Sequence, residues 1–539
     1  MKLKRILAIL IAAILAMGVL AGCNNGGSNK ETEAVEEGGE KAEITFPLQE
    51  KLELTAWRTS PTSDPKLGIT TYNDIEAVQE WEKLTNVHIE WQIPPAGQEQ
   101  ENFNLMISSG DYPDLIWDIG QYYVGGLDKA ISDGVIIPLN QYMDNYLKDY
   151  NALISKDENV YKDCKTDEGN FPAIYFINTP DQGPWYGMTV REDWLNDLGI
   201  EAPVTYDDWH DMLVKFKEEK GATAPLWLNY HAGDVFSVFS AGYGVSVLGA
   251  SGNGFINVDG KVKYSPIEDG YREYITMLHD WYEEGLLDPD FYSDTVSTYV
   301  PADDNWATGK SGAWPDIYSL IDNRPYMGTQ DENFSEVAVA APVKNKGDQL
   351  HLRQYNFTRG TGTCAISTAC KDPDTVAAYL NLGSIEKYAY TAYYGVEGDT
   401  WTMVDGQPTF TDKILKNPDG LSAGDAMTKY CFRSAGMYIW IRETQTVGPK
   451  GKDAINTIWP SNADGDYMMP NITMTSEEAN RYSKLNGDIA TYVEENTTKF
   501  ILGTRDLSEW DAYVKDIQDM GVEEMIGLQQ AALDRFLAR

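Results

Sequence analysis

The chain has 539 residues and a formal net charge of −40, from 43 Lys and Arg against 83 Asp and Glu. A single hydrophobic core rarely grows beyond about 250 to 300 residues, so we expect two lobes. Nucleic-acid binding draws its affinity from clustered Lys and Arg, and the negative charge therefore excludes nucleic acid as the default partner. The 15 Trp, 33 Tyr and 15 Phe are an unusually large supply of rings, and their positions guide the prediction of a site.

The first 45 residues predict export and a lipid anchor. A basic start at residues 1–5 precedes an apolar run over residues 6–20, which is shorter than the roughly 20 residues that span a bilayer. The run ends in LAGC, which resembles the bacterial lipobox, whereas a chance cysteine after a plain secretion signal is the alternative. We expect a lipoprotein signal peptide over residues 1–22 and, over 23–45, the acylated Cys23, carrying palmitate-type chains, followed by a flexible acidic tether. The chain is then anchored at the outer face of a bacterial cell membrane, touching it through lipid alone.

The remaining cysteines leave the redox state open. Four cysteines allow three complete pairings, and buried free thiols are an equally good interpretation. The sequence has no CxxC or Cys/His ligand spacing, so it predicts no structural zinc site. The four residues are Cys164, Cys364, Cys370 and Cys431.

The first part of the folded chain alternates strand and helix, which is typical of a parallel sheet with crossover helices. Ligands of such sheets lie outside the carboxyl ends of the strands, where Trp57, Arg58, Trp117 and Asp118 fall. The predicted elements are a strand from Leu52, a helix over 74–86, a strand over 88–93, a helix over 98–109 and a strand over 113–117.

A second α/β unit of the same kind is predicted further along. Thr205 and Asp208 have the spacing of a capping box at the start of one of its helices. The C-terminal part, from about residue 474, is predicted to be helical. The predicted elements between are strands over 173–178, 225–228 and 364–367, and helices from 191 to Gly199, after Thr205, over 271–287 and over 373–391.

Five segments together carry a family resemblance. They are TNVHIEWQIPP, SSGDYPDLIW, MTVREDWLNDLGIEAPVTYDDW, YYGVEGDTWTMVDG and KFILGTRDLSEWDAYVKDIQDMGVEEM. In this order they resemble the extracellular solute-binding proteins of ABC importers, most closely the long LplA-like lipoproteins of family 1, the group that also contains the maltose-binding proteins. The resemblance covers essentially the whole mature chain.

The resemblance implies an α/β, two-lobed periplasmic-binding-protein-like fold of type II. Each lobe is discontinuous, with 46–178 plus about 345–410 in lobe 1 and 179–344 plus about 411–539 in lobe 2. A hinge joins the lobes, and a ligand in the cleft between them favours closure. The closed form delivers the ligand to the transmembrane subunits of an ABC permease. The implied protein is a monomer that binds its ligand without chemical change and needs no cofactor.

One departure from the family concerns calcium. Several long relatives carry a loop of the form DxNxNGxxDE soon after the helix that follows their PxTxD segment. Here that region reads KEEKGATAPLWLN, which lacks the oxygen ligands that calcium requires. The segment NADGD at 462–466 is too short for such a loop. We therefore predict no bound metal.

The large number of aromatic side chains predicts an oligosaccharide ligand. Trp and Tyr match the C–H face of a sugar, while Asp, Asn and Arg hold its hydroxyls. At five helix-face positions we expect core rings instead: Trp81, Trp194, Trp209, Trp281 and Trp510. The candidate ligand-binding rings are Trp57, Trp117, Tyr122, Trp185, Trp227, Trp314 and Tyr355, with Arg58, Asp118 and Asp316 as their polar partners.

The charge favours a neutral sugar over a polyanion, although screening over about 8 Å at physiological salt would let Arg58 reverse that preference locally. Three other functions remain open: import of a peptide or another solute, a surface glycoside hydrolase, and a passive adhesin. A hydrolase would use paired carboxylates in an aromatic cleft. With 83 acidic residues such pairs carry no information, and no hydrolase or nucleotide-binding fingerprint is present.

Overall fold

A computed structural model of the chain describes residues 43–539, apart from residues 63, 179–181, 229–237, 250–251, 293–302 and 355–358. Cys23, the predicted signal peptide and Tyr355 lie outside the described residues. Within these ranges, no helix is both long enough and apolar enough to cross a membrane.

Most of the strands are short and belong to two sheets or to small hairpins. They are β1 (Leu52–Trp57), β2 (Val87–Gln92), β3 (Leu115–Trp117), β4 (Ile174–Ile177), β5 (Tyr186–Arg191), β6 (Leu248–Gly249), β7 (Gly252–Asn253), β8 (Phe255–Val258), β9 (Lys261–Tyr264), β10 (Ala313–Ile317), β11 (Glu336–Ala338), β12 (Arg359–Ile366), β13 (Trp401–Val404), β14 (Gln407–Phe410) and β15 (Gly436–Met437).

The two longest of the described helices lie at the C-terminal end. The helices are α1 (Glu76–Thr85), α2 (Glu99–Ser109), α3 (Ile119–Tyr122), α4 (Leu127–Ser132), α5 (Lys148–Ile154), α6 (Glu158–Asp163), α7 (Glu192–Leu198), α8 (Tyr206–Lys220), α9 (Asp269–Glu283), α10 (Asp303–Ala307), α11 (Tyr318–Ile321), α12 (Pro373–Asn381), α13 (Glu386–Tyr394), α14 (Asp412–Leu415), α15 (Ala423–Tyr430), α16 (Trp440–Thr444), α17 (Pro449–Asp453), α18 (Ser476–Ile501), α19 (Trp510–Asp519) and α20 (Val522–Ala538).

The first sheet has six strands in the order β15-β4-β12-β3-β1-β2. Strand β1 runs parallel to both β2 and β3, which confirms the parallel arrangement predicted from the first elements. Strand β12 enters antiparallel between β3 and β4, so the sheet as a whole is mixed. Its apolar face and the surrounding helices form the first core, which takes in residues 54–177 and 364–439.

The second sheet has three strands in the order β10-β5-β11, and β5 is antiparallel to both neighbours. The prediction of a second parallel unit is therefore wrong. The predicted strand at 225–228 makes only isolated bridges, from Leu226 to Leu287 and to Ala313. Helices α8, α9 and α18–α20 supply most of the second core.

The segment predicted to return to the first lobe, about 345–410, packs against both cores. Leu350 and Leu352 pack with Ala241 and Ile256 of the second lobe, whereas β12 pairs within the first sheet. Residues beyond 410 also pack there, because α14 and α15 bury their apolar faces in the first core. The lobe boundaries stay a prediction.

Local patterns account for the helix ends more reliably than for breaks within helices. The capping box is confirmed: Thr205 Oγ1 accepts from Asp208 N at 3.1 Å, and Asp208 Oδ2 accepts from Thr205 N at 3.0 Å. The helix predicted over 373–391 is instead two helices, separated by a 3₁₀ turn at Leu382–Ser384. Gly383 lies so close to another segment that a Cβ there would be 1.9 Å from the carbonyl oxygen of Ala435.

The cysteines among the described residues are all free thiols, which resolves the alternative between disulfides and thiols for these four. Burial raises the pKa of Cys164 to about 12. It also raises the pKa of Cys370 and of Cys431 to about 11. The thiols are Cys164, Cys364 and Cys431, which are buried, and Cys370, which is half-buried.

Candidate functional site

The carboxyl ends of β1 and β3 bring polar side chains together. Because these strands are parallel neighbours, the residues that follow them lie side by side. Thr59 Oγ1 donates to Asp118 Oδ2 at 3.3 Å. Asp118 has a φ of 57°, and its backbone N–H donates to the Thr363 carbonyl on β12 at 2.7 Å. The Asp118 carboxyl is therefore held at the edge of the sheet by its backbone and by one hydroxyl.

Arg58 is fixed between two rings at this edge. Its guanidinium carbon lies 3.9 Å from the centroid of Trp117 and 4.6 Å from that of Tyr72. Its Nη2 donates to the Arg433 carbonyl at 3.2 Å, whereas Nη1 is buried without a hydrogen-bond partner among the described residues. Cation–π contact with both rings restricts the position of the guanidinium, and Nη1 is left as an unused donor.

Asp118 and Arg58 also influence each other electrostatically. Burial raises the pKa of the Asp118 carboxyl above its usual value, and the nearby positive charge of Arg58 opposes that rise. The Tyr122 phenol has a raised pKa for two main reasons, burial first and then the Asp118 charge. The group therefore contains one cation and one carboxyl close enough to balance each other.

Trp57 packs beside this group. It is 3% exposed, and its ring meets Phe103 at 5.1 Å and Tyr122 at 5.3 Å, both edge-on. Trp117 is 4% exposed, with Arg58 over one face. Five of the predicted site residues thus come together at one edge of the first sheet, and Tyr122 is the half-buried ring among them.

Three more predicted residues come together in the second lobe. Trp227 and Trp314 share a buried cluster with Trp306 and Phe334. Trp314 and Asp316 have no exposed surface. Neither presents a face to solvent in this conformation, and a ligand-binding role for them stays a prediction.

Asp316 belongs to a buried ionic group around Arg324. Arg324 Nε donates to Asp316 Oδ2 and lies 3.4 Å from Glu336 Oε1. Trp314 Nε1 also donates to Asp316 Oδ2, at 3.3 Å. Two fully buried carboxyls therefore share one guanidinium. Burial and the neighbouring Asp316 raise the pKa of Glu336 well above its usual value, which favours the protonated form of Glu336 in the folded protein.

Trp185 lies apart from both groups. It is half-buried, at the start of the second lobe just before β5, and its carbonyl accepts from the backbone N–H of Tyr318 at 3.0 Å. It packs against a hydrophobic cluster whose members include Tyr318, Trp440 and Trp459. Trp185 is the most exposed of the predicted tryptophans among the described residues.

Sequence reasoning missed Gln354 and Trp459. Gln354 is 1% exposed, and its Oε1 accepts from the Tyr186 backbone N–H at 2.8 Å. Its Nε2 is buried without a partner among the described residues, and it lines a small cavity together with Trp459. Thr59 was also missed, although its position directly after β1 was a usable signal. No local pattern marked Trp459.

One group of side chains in the described part of the chain has the composition of a cation site. The ligand atoms of His351, Asp464 and Asp466 lie within 4.8 Å of one another. Asp464 Oδ2 is 3.0 Å from His351 Nδ1, and both aspartates are exposed. Hydrogen bonding within the group accounts for this arrangement without an ion.

Comparison of the sequence with known proteins identifies a family. The sequence profile of the family described as bacterial extracellular solute-binding protein matches residues 70–384. The fructooligosaccharide ABC transporter substrate-binding protein FusA of Streptococcus pneumoniae serotype 4 is 22% identical, and the alignment covers 98% of each chain.

Two solved structures share the fold. A solute-binding protein of Bifidobacterium longum infantis, described as binding human milk oligosaccharides (HMO), superposes with a TM-score of 0.72 at 18% identity, over 90% of this chain and 99% of that one. The alginate-binding protein AlgQ2 superposes with a TM-score of 0.67 at 22% identity, over 92% and 100%. The fold is that of the two-lobed periplasmic solute-binding proteins, and this chain belongs to the bacterial extracellular solute-binding protein family.

Proposed function

We propose that this protein is the substrate-binding component of an ABC importer and that it captures a neutral oligosaccharide between its lobes. It holds the ligand without chemical change and delivers it to the transmembrane subunits of the permease. The observation that carries the proposal is the group of Thr59, Asp118, Tyr122 and the stacked Arg58 at the carboxyl edge of the first sheet.

This group has the chemistry that a sugar needs. Asp118 offers carboxyl oxygens to hydroxyls and Tyr122 supplies a half-buried ring. The Nη1 donor of Arg58 is buried in this conformation, and it has no partner among the described residues. Three relatives are named for saccharides: fructooligosaccharides, milk oligosaccharides and alginate. Alginate is acidic, so the relatives alone do not select a neutral ligand.

The preference for a neutral ligand comes from the charges around the site. The Arg58 cation has Asp118 beside it and is engaged by two rings and the Arg433 carbonyl. A polyanion would therefore meet a cation that is already balanced, in a chain of net charge −40.

The proposed location is the outer face of a bacterial cell membrane. The lipobox-like segment before Cys23 supports acylation there, and the acidic tether would let a monomeric folded domain move above the bilayer. Mass spectrometry of the protein from a native membrane should find a diacylglycerol-bearing N-terminal Cys23. Release of an unmodified chain into the medium would refute the anchor.

A ligand screen tests the function. Tryptophan fluorescence and thermal melts are recorded with neutral oligosaccharides, acidic oligosaccharides and short peptides. A ligand at 100 times its Kd stabilises the folded state by about 2.7 kcal/mol. We expect a shift with neutral oligosaccharides and no shortened products after incubation. A shift with peptides alone, or with acidic sugars alone, would overturn the proposed ligand, and any turnover would favour a hydrolase.

A matched pair of variants locates the site. Asp118→Asn removes the charged acceptor and should weaken binding about tenfold or more, because a hydrogen bond to a charged group contributes about 1.5–3 kcal/mol. Asp111→Asn makes the same change at an exposed position just before β3 and should leave affinity unchanged. Equal affinities for both variants would exclude Asp118 from the site.

A further inference from the structure

A polar cluster joins the two lobes through side chains, away from the group around Asp118. We call it the interlobe clamp, and it consists of Asp163 and Asp167 from the first lobe with Asn471, Arg535 and Arg539 from the second. The two aspartates belong to the end of α6 and the turn after it, between the first-core residues Val160 and Phe171. Arg535 belongs to the last turn of α20 and Arg539 directly follows the end of that helix, whose apolar face lies in the second core.

Asp167 is the centre of the clamp. It accepts from Arg535 Nε at 2.8 Å, from Arg539 Nε at 2.9 Å and from Arg539 Nη2 at 2.6 Å. These bonds hold its pKa below the usual value despite its partial burial. Arg539 is 3% exposed and also donates from Nη1 to the carbonyls of Lys162 and Lys165. Five charge-assisted bonds thus run from Arg535 and Arg539 to one short segment of the first lobe.

The second lobe holds Arg535 rigidly. Its Nη1 and Nη2 donate to Glu478 at 2.9 and 2.6 Å, and Nη2 also donates to the Thr473 carbonyl at 3.2 Å. Glu478 in turn accepts from the backbone N–H of Thr475, in the capping box that begins α18. Arg535 therefore links Asp167 to the start of the longest helix of the second lobe.

Asp163 ties the clamp to a strand that enters the first sheet. It is 2% exposed and accepts from Arg359 Nε at 3.0 Å and from Asn471 Nδ2 at 2.8 Å. Arg359 is the first residue of β12, where the chain returns from the second lobe to the first. Its guanidinium lies 4.3 Å from the centroid of the Tyr175 ring on β4. The clamp therefore lies beside a covalent crossing between the lobes.

We propose that the interlobe clamp fixes the pivot about which the lobes turn, and that Arg535 and Arg539 are positioning residues for ligand capture. Points beside a covalent crossing move least when two lobes rotate, so the clamp stays formed as the cleft opens and closes. Its bonds are directional and partly buried, so they resist twisting and sliding at the pivot. Without them the lobes sample more orientations, and a ligand that bridges both lobes must suppress that freedom.

The first test needs no ligand. Spin labels at Ser108→Cys on α2 and Glu219→Cys on α8, both exposed positions, report the interlobe distance in a Cys370→Ser background. Arg535→Gln and Asp167→Asn should each broaden the distance distribution. The matched control is Arg481→Gln, because Arg481 makes an equally close two-point pair with Glu524 entirely within the second lobe. Distributions as narrow as the control's would overturn the proposal.

The second test uses binding and rests on the proposed function. For an oligosaccharide found in the screen, Arg535→Gln should raise Kd about fivefold or more, in the usual range of coupling between sites. Asp167→Asn should raise Kd to a similar extent, and the Kd of the double variant should be no higher than that of either single variant. Additive effects, or a lower Kd, would contradict a shared pivot. Arg535→Lys keeps the charge with fewer donors, so its Kd should lie between those of the wild type and Arg535→Gln. This variant still tests the proposal if Asp167→Asn does not fold.

The two proposals fail separately. If no oligosaccharide binds the wild type, the proposed ligand is wrong, and the spin-label distances still decide whether the clamp holds the lobes.

Discussion

The buried carboxyl pair around Arg324 makes the pH dependence of stability predictable. Glu336 and Asp316 have no exposed surface, and the single guanidinium bonds directly to Asp316. Both oxygens of Glu336 lack a hydrogen-bond partner among the described residues. Replacing Glu336 by Gln keeps the size of the side chain and removes its ability to ionise.

The sign follows from the raised pKa of Glu336. The folded protein keeps the Glu336 proton above the ordinary carboxyl pKa, whereas the unfolded chain releases it. Stability is therefore lost as pH rises from the unfolded pKa toward the folded one. Over that interval, each pH unit lowers the wild-type free energy of unfolding by about 1.4 kcal/mol relative to Glu336→Gln.

Urea denaturation of both proteins from about pH 5.5 to about pH 8 measures this difference. As pH rises, Glu336→Gln should gain stability relative to the wild type over the part of this range that lies below the folded-state pKa of Glu336. Glu53→Gln, at an exposed position of β1, is the control for loss of one carboxyl, and its curve should run parallel to that of the wild type. Parallel curves for Glu336→Gln as well would refute the claim that Glu336 stays protonated in the folded state.

Other predictions concern packing and thiols. A Cβ at Gly187 would lie 2.5 Å from the ring of Trp459, so Gly187→Ala should lower the free energy of unfolding by about 1–3 kcal/mol. Gly487→Ala, inside α18 with open space around it, should instead raise it by about 0.5–1 kcal/mol; equal effects would contradict the packing. Arg58→Met loses its stacking on Trp117, which thermal melts should register as a fall of about 1 kcal/mol. A thiol reagent should modify the native protein, if at all, only at the half-buried cysteine, and should reach the other three after unfolding; fast native labelling would contradict the burial of Cys164, Cys364 and Cys431.

Local sequence patterns accounted for the part of the site that local geometry builds. The alternation of strand and helix along the first part of the chain located β1 and β3. Parallel pairing of these strands then placed Arg58 next to Asp118. The five tryptophans on helix faces are buried, as their spacing predicts. Both results depend on contacts over short stretches of chain or between neighbouring strands.

The failures come from contacts between distant segments. The break at Gly383 depends on the Ala435 carbonyl, which lies far along the chain and leaves no trace in the local helix pattern. Trp227 and Phe334, which come from separate segments, bury Trp314, and its local pattern does not reveal that contact. Gln354 is held by Tyr186, whose backbone N–H donates to its Oε1 although the two residues are far apart in the chain.

The position of β12 constrains the order in which the chain can fold. Strands β3 and β4 both precede the second lobe in sequence, yet they are joined only through β12, which follows it. A chain that emerges from its amino end therefore has the group β2-β1-β3 and the single strand β4 without a strand between them while the residues up to about 354 appear. Such strand edges invite pairing with other chains. We therefore expect insertion of β12 between β3 and β4 to be the slowest step of folding. Before that step, the protein has the greatest need of a chaperone.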